Sequence, residues 1–183
     1  MRIAVVLPVL IALVLGSPAF AYNRHWRLGA SYARLTDGGA RNLFGDAWAV
    51  GGEYSFTDAL TDDDIIRDDV SVAVQFRRFN NTVPGVNYTL DYSAYGLKWR
   101  KGPGATPGCD GFYGGIGVAA AVVRIKPAVN GGGASDGATK FEWSVFSGGN
   151  FAGCLFAEVG YSQIPKVNLV PLGQVFVTIG GRF

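Results

Sequence analysis

The chain has 183 residues, of which 27 are glycine, and a formal net charge of +2 at neutral pH. Its length is sufficient for one domain with a sizeable core. The near-neutral charge argues against nucleic acid as a partner, because phosphate binding needs clustered lysine and arginine.

Residues 1–21 are predicted to be a cleaved signal peptide. Arg2 supplies a positive charge, an apolar run covers residues 3–15, and Ala19-Phe20-Ala21 is a small-residue cleavage signal. The run is short for a membrane-spanning helix, which needs about 20 apolar residues. No linker divides the remainder, so residues 22–183 are predicted to be one domain, which would cross a bilayer only with strands.

Eight segments of this domain alternate between apolar side chains and small, polar or charged ones, and glycine is frequent within them. A period of two is that of a β-strand with different environments on its two faces, and abundant glycine disfavours helices. The predicted strands are residues 26–33, 47–56, 70–79, 87–100, 112–123, 140–147, 154–163 and 174–183. The sequence therefore predicts an all-β fold of eight strands, or of ten if the long loops contain short hairpins.

The fourth segment is the least regular. Its predicted apolar face consists of Tyr88, Leu90, Tyr92 and Ala94. Asp91 is predicted to lie on the opposite face. The alternation is lost near Gly96, where a β-bulge would leave the facing of Leu97 and Trp99 undecided.

An even number of strands brings both termini to the same side of the sheet. With that side in the periplasm, the outer loops are predicted at residues 34–46, 80–87, 124–139 and 164–173. Aromatic residues on the apolar faces cluster near the strand ends, which is typical of the two interfaces of a membrane barrel. The predicted outer girdle is Tyr32, Trp48, Tyr88, Phe141, Trp143 and Tyr161, and the inner girdle is Trp26, Tyr54, Phe56, Phe112 and Phe183.

The other face of the strands is small, polar or charged. Its charged residues are Arg27, Glu53, Arg77, Asp91, Lys140, Glu142, Glu158 and Arg182. An arginine or lysine that faces lipid at the midplane costs roughly 2–4 kcal/mol, so these side chains are predicted to form a charge network inside the lumen. An eight-stranded barrel is just wide enough to be filled by side chains, which favours a plug over an open channel.

A leader, eight girdled strands and a terminal strand that ends on Phe183 resemble the small outer-membrane β-barrel family of OmpA, OmpX and OmpW type. The resemblance covers the mature chain and implies an eight-stranded antiparallel up-and-down transmembrane β-barrel in the outer membrane of a Gram-negative-type cell. It also implies a monomer surrounded by outer-membrane lipid and lipopolysaccharide.

In that family the terminal strand is recognised by the barrel-assembly machinery. The resemblance assigns this signal to Val175, Val177, Ile179 and Phe183. Gly181 stands where the family usually has tyrosine or another large residue, which weakens the signal. Arg77, Arg78 and Lys126 are interpreted as ordinary rim charges, with contact to lipopolysaccharide phosphates as the alternative.

Two further features are candidates for sites. Cys109 and Cys154 precede the fifth and seventh segments, so a disulfide at the periplasmic rim is a hypothesis, with two free thiols as the alternative. Six aspartates lie within residues 58–69. Their spacing is not that of an EF-hand, so a solvated acidic turn is favoured over a metal site and no cofactor is expected.

The sequence favours a non-enzymatic protein. His25 is the only histidine, and it lies at the start of the first strand, away from the outer leaflet where barrel enzymes that modify lipid A use a His-Ser pair. The predicted role is in envelope structure or surface interaction. Gly115, Gly117, Ala119 and Ala121 leave space on one wall of the lumen, so weak passage of small solutes stays open unless Phe146, Phe156 and Phe176 fill that space. A soluble secreted barrel that binds an apolar ligand is the alternative, and a lipid A-modifying enzyme is a lesser one.

Overall fold

The computed structural model describes residues 25–57, 67–106, 109–128 and 136–183. The predicted signal peptide and most of the acidic stretch, residues 58–66, lie outside the described residues. The strands are β1 (Trp26–Leu35), β2 (Asp46–Ser55), β3 (Arg67–Val83), β4 (Val86–Gly102), β5 (Gly111–Ala128), β6 (Asp136–Phe151), β7 (Leu155–Gln163) and β8 (Gln174–Arg182). Each strand pairs antiparallel with the next, and β8 pairs with β1, so the sheet is closed. The predicted eight-stranded up-and-down barrel is confirmed.

Apolar side chains cover the outside of the barrel. Trp48 is 56% exposed, Phe112 is 81% exposed and Ile179 is 56% exposed, and each faces away from the lumen. Aromatic pairs pack edge to face on this surface, as Tyr32 and Trp48 do with 5.4 Å between ring centroids. A continuous apolar outer surface of this kind suits lipid and is rare on proteins in water.

The central strands are longer than predicted. β3, β4, β5 and β6 have 16 to 18 residues, whereas β1, β2, β7 and β8 have 9 or 10. At the end of the barrel opposite the termini, here called the distal end, residues 136–142 of β6 have no partner on β7, which pairs only from Trp143. The four long strands therefore extend beyond the barrel as a projecting sheet, in place of much of the predicted outer loops.

The sequence wrongly predicted which side chains of β4 face outward. Pairing with β3 and β5 continues without interruption through Gly96, so no bulge is present. Leu97 and Trp99 face outward, whereas Leu90, Tyr92 and Ala94 are buried inside. These three apolar residues face inward because the distal part of the lumen is itself apolar.

The predicted outer girdle loses one member for the same reason. Tyr88 is half-buried and packs against Phe44, with the two rings perpendicular and their centroids 6.2 Å apart. Phe44 belongs to the single described helix, α1 (Gly38–Phe44), which replaces part of the first predicted outer loop. The helix begins after Asp37, whose Oδ1 accepts a hydrogen bond from the Ala40 amide at 2.8 Å.

The helix content of the described residues is small. α1 spans seven residues and ends at Gly45, which has φ of 70°, a conformation that glycine adopts readily. Among the residues that the structure covers, no helix is long and apolar enough to cross a membrane.

Candidate functional site: a plugged lumen

The centre of the lumen is an ion-pair network around Glu158 of β7. Its carboxylate lies 3.1 Å from Nη1 of Arg27, 3.2 Å from Nζ of Lys98 and 3.0 Å from Nη2 of Arg100. The hydroxyl of Tyr113 also donates to Glu158, at 3.0 Å. Each strand sends every second side chain inward, so residues from four separate strands meet at one carboxylate. A buried charge is tolerated when it is paired and hydrogen-bonded in this way.

Arg100 extends the network toward the end of the barrel that carries the termini, here called the terminal end. Its Nη1 lies 3.3 Å from Oδ2 of Asp69 and donates to Oγ of Ser71 at 2.8 Å. Its Nη2 also pairs with Glu53, which accepts a second ion pair from Lys98 at 2.5 Å. Of the six ionised groups in this network, Arg27, Glu53 and Glu158 were predicted from the sequence, whereas Asp69, Lys98 and Arg100 were not.

Among the described residues, four of the predicted lumen charges form no ion pair: Arg77, Lys140, Glu142 and Arg182. Arg182 donates from Nη1 to the carbonyl of Thr106 at 2.8 Å and from Nη2 to that of Ala105 at 3.1 Å. Lys140 lies opposite buried Ala121 at the distal half of β6. Arg182 therefore fastens the connection between β4 and β5 over the terminal end of the lumen.

Glu142 and Arg77 occupy the distal half of the lumen. Glu142 accepts a hydrogen bond from the hydroxyl of Tyr92. Arg77 donates to Oε1 of Gln75 and lies over the ring of Tyr92, 4.9 Å from its centroid, and over that of Phe176 at 5.5 Å. The inward facing of Tyr92 thus provides partners for both charged groups.

Asp91 is not part of the lumen network, contrary to the prediction. It lies on the outer face of β4 near the distal end, 2.5 Å from Nε of Arg78 and 2.8 Å from Nζ of Lys126. Arg124 lies directly opposite Asp91 on β5. The parity of β4 decides this outcome, because neighbours of an inward residue such as Tyr92 must face outward. The result is a rim cluster of three cations and one carboxylate.

The small residues of β5 do not leave an open bore. A Cβ added to Gly115 would lie 2.5 Å from Cζ of Phe146, and one added to Gly160 would lie 2.6 Å from Cζ of Phe176. Phe156 similarly approaches Gly29. The aromatic rings of β6, β7 and β8 therefore fill the space opposite these glycines.

Apolar residues also cover the distal mouth. The buried cluster there joins α1, the ends of four strands and the connection between β7 and β8. Its members include Leu35, Phe44, Phe79, Leu90, Val123, Ile164, Val167 and Leu172. This cap closes the distal end of the lumen, and residues 103–106 cover the terminal end.

The remaining candidate residues lie at the terminal end. Cys109 and Cys154 are free thiols, so the structure does not contain the predicted disulfide. The Sγ of Cys109 instead accepts hydrogen bonds from Arg67 at 2.5 Å and from Thr106 at 3.4 Å. His25 lies 2.9 Å from the carbonyl oxygen of Ser55 and stacks on Tyr54.

The proposed assembly signal lies on the outer surface of β8. Val175, Val177 and Ile179 are each about half exposed there, and the backbone of Phe183 pairs with Trp26 in both directions, at 2.9 and 3.1 Å. Among the described residues, no group of three or more histidine, cysteine, aspartate or glutamate side chains is placed to hold a metal ion.

Solved structures with the same architecture include Ail, the attachment invasion locus protein of Yersinia pestis. That chain superposes with a TM-score of 0.59 at 14% identity, covering 88% of this chain and 99% of Ail. A structure of Ail with the heparin analogue sucrose octasulfate gives 0.56 and 16%, covering 86% and 97%. The N-terminal β-barrel domain of Pseudomonas aeruginosa OprF gives 0.56 and 16%, covering 88% and 98%.

The comparison by sequence gives nothing further, since no protein-family model and no curated protein matches the chain. At 14–16% identity, the structural likeness concerns the fold. This likeness agrees with the closed sheet, and with apolar side chains on the outside of the barrel and charged ones inside. The chain has the fold of the small eight-stranded outer-membrane β-barrels, as the resemblance predicted.

Proposed function

We propose that the protein is a non-enzymatic, monomeric outer-membrane β-barrel, exported by a cleaved signal peptide, whose role is structural or in surface interaction. The observation that carries this proposal is the filled lumen. Arg27, Arg100 and Glu158 are almost completely buried at its centre. The interior of such a barrel is occupied by paired charges and capped at both ends. The barrel is therefore suited to hold a surface structure in the membrane, not to conduct solutes.

The polarity of the two faces supports a membrane location over the soluble ligand-binding alternative. A soluble barrel that binds an apolar ligand would have an apolar interior and a polar exterior. Here Arg27 and Glu158 are inside, while Leu97 at 49% and Val159 at 57% are exposed outside. Lipid would cover this outer surface, whereas water would leave it as a large patch prone to association.

The environment of the only histidine supports the absence of enzymatic activity. His25 Nδ1 lies 2.9 Å from the backbone oxygen of Ser55, and Ser55 Oγ donates to Asp69. The Ser55 hydroxyl is thus directed to a carboxylate within the network. A His-Ser nucleophile pair needs the imidazole within hydrogen-bond reach of the hydroxyl, so this arrangement does not favour hydrolysis.

The distal end provides the surface for interaction. The projecting sheet carries Arg78, Arg124 and Lys126 around Asp91, a rim that suits the phosphates of lipopolysaccharide. Above it, Leu169 is 88% exposed at the tip of the loop between β7 and β8. We place this end outside the cell, because the four long strands extend beyond the barrel here, and the longer extensions of outer-membrane barrels are typical of the extracellular side.

The terminal strand is proposed as the signal for the barrel-assembly machinery. Val175, Val177 and Ile179 form an apolar row on the outer face of β8, and Phe183 directly follows this strand. Deletion of Phe183 is expected to lower the amount of heat-modifiable barrel in the outer membrane, with Val159→Ala as a control on the neighbouring strand. Equal insertion of the truncated and full-length chains would contradict the assignment.

Conductance of planar bilayers tests the role of the lumen. Refolded mature protein, shown to be closed by its heat-modifiable gel mobility, is expected to give no discrete openings where a general porin does. Openings by the wild-type protein that disappear in Gly117→Trp, a substitution that fills the lumen, would establish solute passage and overturn the proposal. Openings that persist in Gly117→Trp would indicate leakage around an unfolded or aggregated chain, which the gel mobility reports directly.

A further inference from the structure

The distal half of the lumen contains a small cavity between the ion-pair network and the apolar cap. It has a volume of about 40 Å³ and is lined in part by Gln75, Arg77, Glu142, Ser144, Ser162 and Phe176. About 10–15 Å³ is enough for one water molecule. The cavity therefore has room for a few waters or for a single halide ion.

Arg77 is the unusual group in this cavity. Its side chain is 4% exposed, and its guanidinium packs against the rings of both Tyr92 and Phe176. Nη2 of Arg77 donates a hydrogen bond to Oε1 of Gln75, but Nε and Nη1 have no hydrogen-bond partner among the residues that the structure describes. The Nε–H and Nη1–H donors lie in the plane of the guanidinium but point to different sides of it, so one acceptor in the cavity can reach only one of them.

A second unsatisfied donor lines the same cavity. The Oγ of Ser162 is fully buried and also lacks a partner within the described part of the chain. Buried donors are nearly always hydrogen-bonded in folded proteins. Two such groups around one cavity of sufficient size indicate a bound acceptor.

The charge of the lumen favours an anion as that acceptor. The charged side chains that line the cavity are Arg77, Lys98 and Glu142. Lys98 is paired with Glu53 and Glu158, so Arg77 is the cation of the described lining that has no ion pair. Glu142 is engaged by Tyr92 and forms no ion pair with Arg77 in this part of the structure. An unpaired charge within a membrane protein is costly, which an anion at Arg77 would relieve.

We propose that the distal cavity is a binding site for one small monovalent anion, chloride in the cell, held by an unpartnered N–H of Arg77 and by the hydroxyl of Ser162. The two aromatic rings hold the guanidinium in the wall of this cavity. The site is internal and capped, so the anion is a structural component acquired during folding. Larger anions such as gluconate or a lipid phosphate do not fit the volume.

Bromide provides a direct test, because its anomalous scattering distinguishes it from water. Mature protein is refolded and crystallised in bromide, and an anomalous peak is expected in the cavity, within contact distance of the Arg77 guanidinium and the Ser162 hydroxyl. The peak is expected to disappear in Arg77→Met and to persist in Arg78→Met, the adjacent arginine on the outer rim. Absence of a peak in the wild-type protein, or water alone in the cavity, would overturn the proposal.

Unfolding in solution gives a second measurement that does not need crystals. A ligand that binds only the folded state raises the unfolding midpoint with its concentration. The midpoint of the wild-type barrel is expected to rise when chloride replaces gluconate at constant ionic strength. Ser162→Ala, which keeps the ionic plug, is expected to lose at least half of this rise, and Arg78→Met none of it. An equal response of all three proteins would mean that the effect is not due to this site.

Discussion

Arg100 contacts Glu158 through two nitrogens, with Nε at 3.1 Å and Nη2 at 3.0 Å from the same carboxylate oxygen. The two residues lie on β4 and β7, on opposite sides of the closed sheet. This contact therefore spans the lumen and joins strands that share no backbone hydrogen bonds. The plug thus includes contacts across the barrel and not only pairs between neighbouring strands.

Replacement of Glu158 tests the contribution of the plug to stability. Glu158→Gln keeps the size of the side chain but leaves Arg27, Lys98 and Arg100 with less compensating charge. Removal of one partner from a buried pair costs about 3–5 kcal/mol of the free energy of unfolding. Urea unfolding in lipid vesicles, followed by tryptophan fluorescence and gel mobility, measures the change.

The matched control is Asp91→Asn on the outer rim. Asp91 also pairs with two cations, but Arg78 is 65% exposed and Lys126 is 46% exposed. The free energy of unfolding is therefore expected to fall by only about 0–1 kcal/mol. Losses of equal size in the two variants would contradict the assignment of Glu158 to a buried plug.

Adjacent glycines on β5 allow a test of lumen packing. A Cβ at Gly115 would lie 2.5 Å from both Cζ of Phe146 and the carbonyl oxygen of Trp99, whereas at Gly114 the nearest atom would be 3.9 Å away. Gly115→Ala is therefore expected to lower the free energy of unfolding by about 1–3 kcal/mol, because overpacking displaces a ring or a strand. Gly114→Ala faces outward and is expected to be tolerated. A tolerated Gly115→Ala would indicate that Phe146 does not fill the lumen.

Much of the barrel could be predicted from the sequence because the faces of most strands differ clearly. On β1, Arg27 and Ser31 alternate with Trp26 and Leu28, and the structure buries the first pair and exposes the second. The period of two requires only local information. The closed sheet follows from such strands, since an apolar outer surface leaves no place for an unpaired edge in lipid.

The facing of β4 could not be predicted because it depends on distant elements. Leu90 and Tyr92 were assigned to the outer surface since they are apolar. They face inward because α1 and the connection between β7 and β8 cover the distal mouth with apolar side chains. Sequence alternation does not reveal this cap, which consists of contacts between residues far apart in the chain.

Because of the same error, Arg100 was not assigned to the lumen and Asp91 was wrongly placed there. Once Gly96 is paired without a bulge, parity alone places Lys98 and Arg100 inside and Asp91 outside. The residues opposite on β3 could have indicated that Lys98 and Arg100 face inward, because Asp69 lies opposite Arg100 and Ser71 lies opposite Lys98. Register between strands is a long-range property and is set by the whole barrel.

Leu169 offers a test of backbone strain in the distal loop. Its φ of 66° lies in the left-handed region, which costs a residue with a branched side chain about 1–2 kcal/mol. Leu169→Asn is expected to recover up to about 1 kcal/mol of stability, since asparagine tolerates this conformation. Lys166→Asn, in the same loop but without a positive φ, is the control and is expected to change stability by less than about 0.5 kcal/mol. Equal effects of the two substitutions would show that the gain does not come from the backbone of Leu169.

Chemical labelling distinguishes the two faces of the barrel and its orientation. In a Cys109→Ser, Cys154→Ser background, Asp91→Cys is expected to react with a membrane-impermeant maleimide on intact cells, because this position lies on the outer face at the distal rim. Glu142→Cys, which is 5% exposed in the lumen, is expected to react only after denaturation. The ratio of the two labelling rates should exceed about tenfold, as expected when one thiol is buried and the other is in solvent.

Two results would contradict this assignment in different ways. Protection of both thiols in detergent-solubilised folded protein would place Asp91 in the lumen and restore the facing that the sequence indicated. Labelling of Asp91→Cys in detergent but not on intact cells would keep the outward facing and reverse the orientation, with the distal end in the periplasm. The comparison therefore separates the parity of β4, which the strand register determines, from the direction of insertion, which depends on the assembly pathway.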